Sequence, residues 1–252
     1  YPNKKINIPK HFIIFLGTGL PYYALERYSM THVYEVFTLT LLLYYSDKYY
    51  RSKKYYLGFF IPIIIILGLL VKWTNYFLLI IPYLIYLMYK DDYLNHKKLL
   101  KNNFFYAGSL IATLIFIFLS KSIYGIYTID PRVVYGTKGL VSSFFNNGIL
   151  NFIYENIFNV SKILFSQEFG ISWNNPALFF SLLIVVINFF KKVNIKNILL
   201  VLIFAQVFSV VLIWKSTASS YGYRYLLVLV PLSFLLLHDF RTKLPINILD
   251  VV

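Results

Sequence analysis

Four ionisable side chains crowd the stretch "ALERYSMTHVYEVF" (24–37): Glu26, Arg27, His32 and Glu35. In a chain of which only 13% is charged, this concentration directly precedes the apolar run "TLTLLLYY". His32 and Glu35 are spaced i and i+3, so a helix would put imidazole and carboxylate on one face, able to approach one metal ion or one proton-bearing ligand together. The plainer alternative is that Glu35 pairs with a neighbouring Lys or Arg and closes a helix bundle. A second stretch, "SSYGYRYLLVLVPL" (219–232), sets Arg224 among Tyr221, Tyr223 and Tyr225, with Lys215 just before it. A guanidinium stays charged and offers parallel donors, which suits a phosphate, and a lysine adds a point charge. Arginines at helix ends also serve as simple snorkelling anchors. A third stretch, "LFSQEFGISWNNPALFFSLL" (164–183), brings Glu168 and Trp173 into a junction marked by Gly170 and Pro176. A plain loop-to-helix connection accounts for most of it.

These residues need elements to carry them. The chain has 252 residues, 59% of them hydrophobic, with a mean hydropathy of +0.65. Apolar runs lie near 11–25, 32–45, 56–71, 74–89, 103–121, 176–190, 197–214 and 221–238. A span of the hydrocarbon layer takes about 20 helical residues, so the reading is an all-α, polytopic transmembrane helical bundle of about seven or eight spans. The aromatic share of 20% fits helix ends in the interfacial zone. The abundance of Lys, Ile, Asn, Tyr and Phe reads first as the mark of an AT-rich genome.

Charge sets the orientation. The net +14 is carried in short connectors, "SDKYYRSKK" (46–54), "KDDYLNHKKLLKN" (90–102), "KKVNIKN" (191–197) and "DFRTK" (239–243), rather than along one face, which argues against a nucleic-acid partner. Every second connector is basic, as the positive-inside rule requires, so the intervening ones face outward. Glu26, His32, Glu35, Lys72, Lys215 and Arg224 then converge on the outer side, where ionisable groups are costly unless paired or facing water. Residues 56–89 are too long for one span, so "VKWTN" turns a hairpin at that surface. The outward loop 122–175 carries Ile149, Ile153, Ile157, Val160 and Leu164 at helical spacing. They describe an amphipathic helix, lying on the membrane or packed on other loops. Residues 1–252 read as a single transmembrane domain. The absence of cysteine excludes disulfides and thiolate metal sites. Beginning at Tyr1 without a basic leader, the chain reads as the later part of a longer membrane protein.

In order, "FLGTGLPYYALERYSMTHVYEVF" (15–37), "GLLVKWTNYFLLI" (68–80), "LFSQEFGISWNNPALFF" (164–180) and "SYGYRYLLVLVPL" (220–232) resemble the motifs of the GT-C type integral-membrane glycosyltransferases. That group includes protein mannosyltransferases and the aminoarabinose transferases of lipid A. The resemblance implies transfer of a sugar, with inversion, from a polyprenyl-phosphate carrier to an acceptor at the outer face. It implies membrane lipid and the lipid-linked sugar as partners, and a bacterial inner membrane with the active side toward the periplasm or exterior. Arg224, with Lys215 and Tyr221, would bind the donor phosphate, and Lys72 would be the hairpin cation. His32, Glu35 and Glu26 would shape the acceptor pocket or hold a divalent metal, a role found in only part of the superfamily. The sequence departs from the pattern at Lys72, where Arg is frequent, and at Gln167 and Glu168, where a basic pair is usual. The family's catalytic acid belongs to a first outward loop expected upstream of Tyr1. A lipid-linked saccharide flippase or transporter, an envelope repeat-unit polymerase and a noncatalytic membrane subunit are the alternatives.

Overall fold

The computed structural model describes residues 16, 20–25, 31–52, 54–72, 74–89, 99–127, 149–168, 170–214 and 224–241. The described residues are helical throughout their regular elements and include no strand, as expected of an all-α chain. In order the helices are α1 (Leu20–Leu25), α2 (Thr31–Arg51), α3 (Phe60–Val71), α4 (Ile81–Tyr89), α5 (Asn103–Tyr124), α6 (Ile149–Phe165), α7 (Ile171–Asn174), α8 (Pro176–Lys191), α9 (Ile195–Trp214) and α10 (Val230–Arg241). Tight 3-10 turns, Tyr55–Phe59, Tyr76–Leu79 and Arg224–Leu229, lead into α3, α4 and α10. One helix among the described residues, Asn103–Ser122, is long and apolar enough to cross a membrane. The apolar segments Tyr55–Val71, Pro176–Lys191, Ile195–Val210 and Tyr225–Leu237 are shorter. The expected run 11–25 is described only at Leu16 and Leu20–Leu25.

Two compact units form, one from Tyr1–Val36 with Asn156–Val252 and one from Phe37–Glu155. In the second unit, α2 runs past the expected end at residue 45 and through most of the basic connector, to Arg51. Local pairs explain the extension. The Arg51 guanidinium donates to both oxygens of Asp47 at 2.8 Å, and the Lys48 ammonium donates to the Tyr44 hydroxyl at 2.9 Å. Both cations also sit at the helix C-terminus, where its dipole favours them.

The helix is broken at "VKWTN", as expected, Trp73 itself lying outside the described residues. Helix α3 ends at Lys72, whose N–H donates to the Gly68 carbonyl. The Asn75 amide donates to that same carbonyl at 3.2 Å, bridging the turn. Gly68 lets Leu78 of the returning arm lie directly against α3, and a side chain there would collide with it.

Helix α5 is the long apolar helix, 22 residues and so roughly 33 Å. Asn102 caps its start by accepting from the Phe104 N–H at 3.0 Å. The same side chain donates to the Tyr55 carbonyl at 2.8 Å and to the Tyr49 hydroxyl at 3.3 Å. Burial raises the pKa of the Tyr49 phenol, which keeps it neutral as an acceptor. Gly125, at φ 74°, ends the helix in the left-handed conformation that glycine adopts without strain. Packing uses a narrow stripe of small residues: Gly108 and Ala112 are buried, while Phe104, Leu110, Leu114 and Phe118 are exposed. A Cβ on Gly108 would strike the Phe59 carbonyl, so α5 packs with its backbone close to the start of α3. This Gly-xxx-Ala spacing, a known device of helix pairs in lipid, is legible in "AGSLIATL".

In the first unit, α8 packs on α9 and α10, and the turn into α10 packs on α9. The run Leu226, Leu227, Val228, Leu229 and Val230 is buried at every position. An element apolar all round takes the centre of its unit. The tight α8–α9 connection is held by Asn197, whose amide donates to the Asn188 and Lys192 carbonyls at 2.9 and 2.7 Å. Asn194 completes the turn by accepting from the Asn197 N–H at 2.9 Å. Helix α6 confirms the helix expected from the spacing of Ile149 to Leu164, with one shift of face. Ile163 is buried and Val160 and Leu164 are partly so, whereas Ile157 is exposed. At about 100° per residue, the covered arc centres on Val160, which leaves Ile157 at its edge.

Replacing Gly108 by Leu is expected to lower stability by about 1–3 kcal/mol through overpacking. Thermal unfolding in detergent would show it, with the exposed Thr113→Ala as a neutral control.

Candidate functional site

The first turns of α2 place His32 and Glu35 on one face, as their spacing predicts. They meet directly: His32 Nδ1 and Glu35 Oε2 are 2.8 Å apart, with the side chains 4% and 0% exposed. An ionised Glu35 accepts from Nδ1–H, which fixes the tautomer and the ring's orientation. Proton exchange between His32 and a ligand would then run through Nε2.

Aromatic and aliphatic side chains border the pair. The His32 ring meets Tyr225 edge to face, with centroids 5.2 Å apart and planes at 89°. Immediately beyond Glu35, Val36 packs with Leu227 and Val230 in a buried cluster, flanked by Leu20, Val33 and Phe234. Residues His32 and Val36 of the opening stretch and Tyr225, Leu227 and Val230 of the distant one are thus packed together within one unit. Tyr225 follows Arg224, where the 3-10 turn into α10 begins. The sequence had marked Tyr225 only as a neighbour of that arginine, not as the partner of His32. Tertiary packing chooses it, and spacing along the chain carries no sign of the choice.

Among the described residues, Glu35 pairs with His32. Glu26, Lys215 and Tyr221 lie outside the described residues, and Arg224 is described in its backbone alone. Lys72 belongs to the other unit, at the C-cap of α3, and is partly buried. Glu168 stands exposed in the turn after α6, unlike the buried His32–Glu35 pair. That turn requires Gly170. Its N–H donates to the Ser166 carbonyl at 2.6 Å, and a Cβ there would collide with the Ser166 backbone. The Asn174 amide then ties the turn down by donating to the Glu168 and Gly170 carbonyls, each at 3.2 Å. Trp173 is 68% exposed.

The described donors do not by themselves make a divalent-metal site. His32 Nδ1 and Glu35 Oε2 are bonded to one another instead of converging on a common point. No group of three or more His, Asp or Glu occurs among the described residues. No step below is routed through a metal. Comparison with known proteins finds no matching family model, curated protein or solved structure.

Replacing His32 by Ala would leave a buried carboxylate without its imidazole and is expected to cost on the order of 3 kcal/mol. The double replacement with Glu35→Leu should recover part of the loss, read by unfolding in detergent.

Proposed function

We propose that this chain belongs to a polytopic membrane glycosyltransferase that moves a sugar from a polyprenyl-phosphate carrier to an acceptor at the outer face. The observation that carries the reading is the packing of His32 against Tyr225. It joins two motif stretches separated by almost the whole chain, next to the arginine that suits a phosphate. The apolar helices, α5 foremost, support the membrane part of the reading, together with the alternation of basic connectors. In this proposal the apolar segments form about seven or eight spans, the shorter ones being seated against other protein. The segment 122–175 faces outward in a bacterial inner membrane.

The chemistry follows from these roles. The acceptor oxygen forms a bond to the anomeric carbon as the bond from that carbon to the phosphate oxygen breaks. The electron pair leaves with the phosphate, and the configuration inverts. Arg224 compensates the charge that grows on the departing phosphate, assisted by Lys215 and Tyr221. The His32–Glu35 pair borders the acceptor side, Glu35 holding the imidazole and Nε2 offering a hydrogen bond to an acceptor hydroxyl. Glu26 belongs to the same rim, and Lys72 is the hairpin cation of the resembled motif. The acceptor proton goes to a carboxylate of the upstream loop that the resemblance assigns as general base.

The test is sugar transfer by full-length protein in proteoliposomes, supplied in turn with polyprenyl-phosphate sugars labelled in the sugar. Replacing Arg224 by Ala should reduce release of polyprenyl phosphate by about 100- to 1,000-fold, the range for removing one transition-state charge partner. A wild-type rate in that variant overturns the phosphate assignment. Label crossing the membrane without transfer would make the protein a carrier instead.

A further inference from the structure

Two basic connectors, separate in the sequence, meet within the second unit. Residues 46–54 and 90–102 carry eight Lys or Arg against three Asp, so the junction is strongly cationic. Asn102 fastens one to the other, its amide donating to the Tyr55 carbonyl at 2.8 Å and to the Tyr49 hydroxyl at 3.3 Å. Lys54 and Lys101, each next in sequence to a residue of that link, are exposed. We infer that Lys48, Lys54 and Lys101 bind the phosphate of an anionic phospholipid whose acyl chains lie along the start of α5. The inference rests on the membrane reading above, and three observations lead to it.

The first is charge. Among the described residues of the junction the carboxylate is Asp47, and the Arg51 guanidinium already holds both of its oxygens. No described carboxylate pairs with Lys48, Lys54 or Lys101. The Lys48 ammonium is held instead at the Tyr44 hydroxyl and lies 5.0 Å from the centre of that ring. That hydrogen bond is the chief cause of a raised Lys48 pKa. Tyr56, two residues after Lys54, adds to the effect and so lies near Lys48.

The second is the apolar surface that adjoins the cations. Helix α5, the one described helix long and apolar enough to cross a membrane, begins at Asn103, two residues after Lys101. Phe104, Ile111 and Phe118 are exposed along it. Spaced seven apart, they form one stripe at 3.6 residues per turn. Free phosphate would cover the cations and leave the stripe in water, and a nucleic acid would set a polar backbone against it. An anion carrying hydrocarbon covers both.

The third is the boundary between them. Tyr106 is exposed, and its hydroxyl donates back to the Leu100 carbonyl at 2.7 Å. A ring on an apolar helix with its hydroxyl turned to a basic connector is how tyrosine sits at a lipid–water interface. Tyr55 and Tyr56 are exposed at the same junction. Lipid phosphates lie at that level and attract basic segments. The cations stand at the start of α5 whichever way the helix crosses.

The experiment titrates the full-length protein, in neutral detergent micelles, with phosphatidylglycerol and follows its unfolding midpoint, which a ligand of the folded state raises. Phosphatidylglycerol should raise the midpoint more than phosphatidylcholine at equal mole fraction. Combining Lys54→Gln with Lys101→Gln should weaken the apparent affinity about 25-fold, roughly fivefold for each lysine at an anionic lipid surface. Each single variant should show its own fivefold loss, which decides the question if the double variant fails to fold. Lys121 lies at the far end of α5 and Lys162 on α6, both exposed. Combining Lys121→Gln with Lys162→Gln removes the same charge and should leave the affinity unchanged. Equal responses to the two lipids, or equal losses in the two double variants, overturn the site. Inorganic phosphate acting as strongly as phosphatidylglycerol overturns the lipid assignment in favour of a free anion, and polyaspartate doing so gives the junction to an acidic protein segment. Flotation with phosphatidylcholine vesicles separates the two readings. Protein that floats but fails the titration loses the headgroup site alone, whereas protein that does not float overturns the membrane reading itself.

Discussion

A helix leaves its last carbonyls without partners, and in a chain this apolar those groups must find hydrogen bonds within the protein. Asparagine side chains add hydrogen bonds to backbone carbonyls at three connections. Asn75 reaches back to the Gly68 carbonyl across the α3–α4 turn. Asn102 joins the start of α5 to the Tyr55 carbonyl, and Asn197 closes the α8–α9 turn on the Asn188 and Lys192 carbonyls. Each amide couples two elements, and at Gly68 and Asn188 it adds a second donor to a carbonyl that already accepts from the Lys72 or Lys192 N–H. The tight turns follow from this coupling, and the packing of the helices follows from the turns. Asparagine is therefore not only a trace of genome composition, as its frequency alone suggests.

The same constraint governs the ionisable residues. A carboxylate in an apolar surround is tolerable only with a partner, and the i,i+3 spacing on α2 supplies His32 to Glu35 before any tertiary contact is made. The shell contributed by Tyr225, Leu227 and Val230 then strengthens the bond by excluding water. A pair with Nδ1 committed and the ring held by an aromatic edge is oriented for proton exchange through one nitrogen. The proposed transferase reading accordingly gives it the acceptor side.

Most of the helical architecture could be read in advance, because apolar runs interrupted by basic connectors leave few alternatives. Departures arose where short-range pairs overruled composition. Asp47 with Arg51 and Tyr44 with Lys48 keep α2 helical through a stretch that charge alone marks as a connector. On α6 the spacing of isoleucines identified the helix, while its covered arc moved to Val160 and Ile163, because the neighbouring α8 and α9 decide which side is shielded. The close approach of α5 to Phe59 was written in Gly108 and Ala112, two small residues four apart, and hidden by the larger side chains around them.

By itself the sequence determined the all-helical class, the break at "VKWTN" and the shared face of His32 and Glu35. All of these depend on residues at most a few turns apart, where backbone geometry sets who meets whom. Only the tertiary structure decided that His32 rests on Tyr225, that Asn102 reaches Tyr49 and Tyr55, and that α6, α8 and α9 leave a groove between them. Those contacts join residues distant along the chain, and helical periodicity specifies which face a residue occupies but not which other helix will cover it.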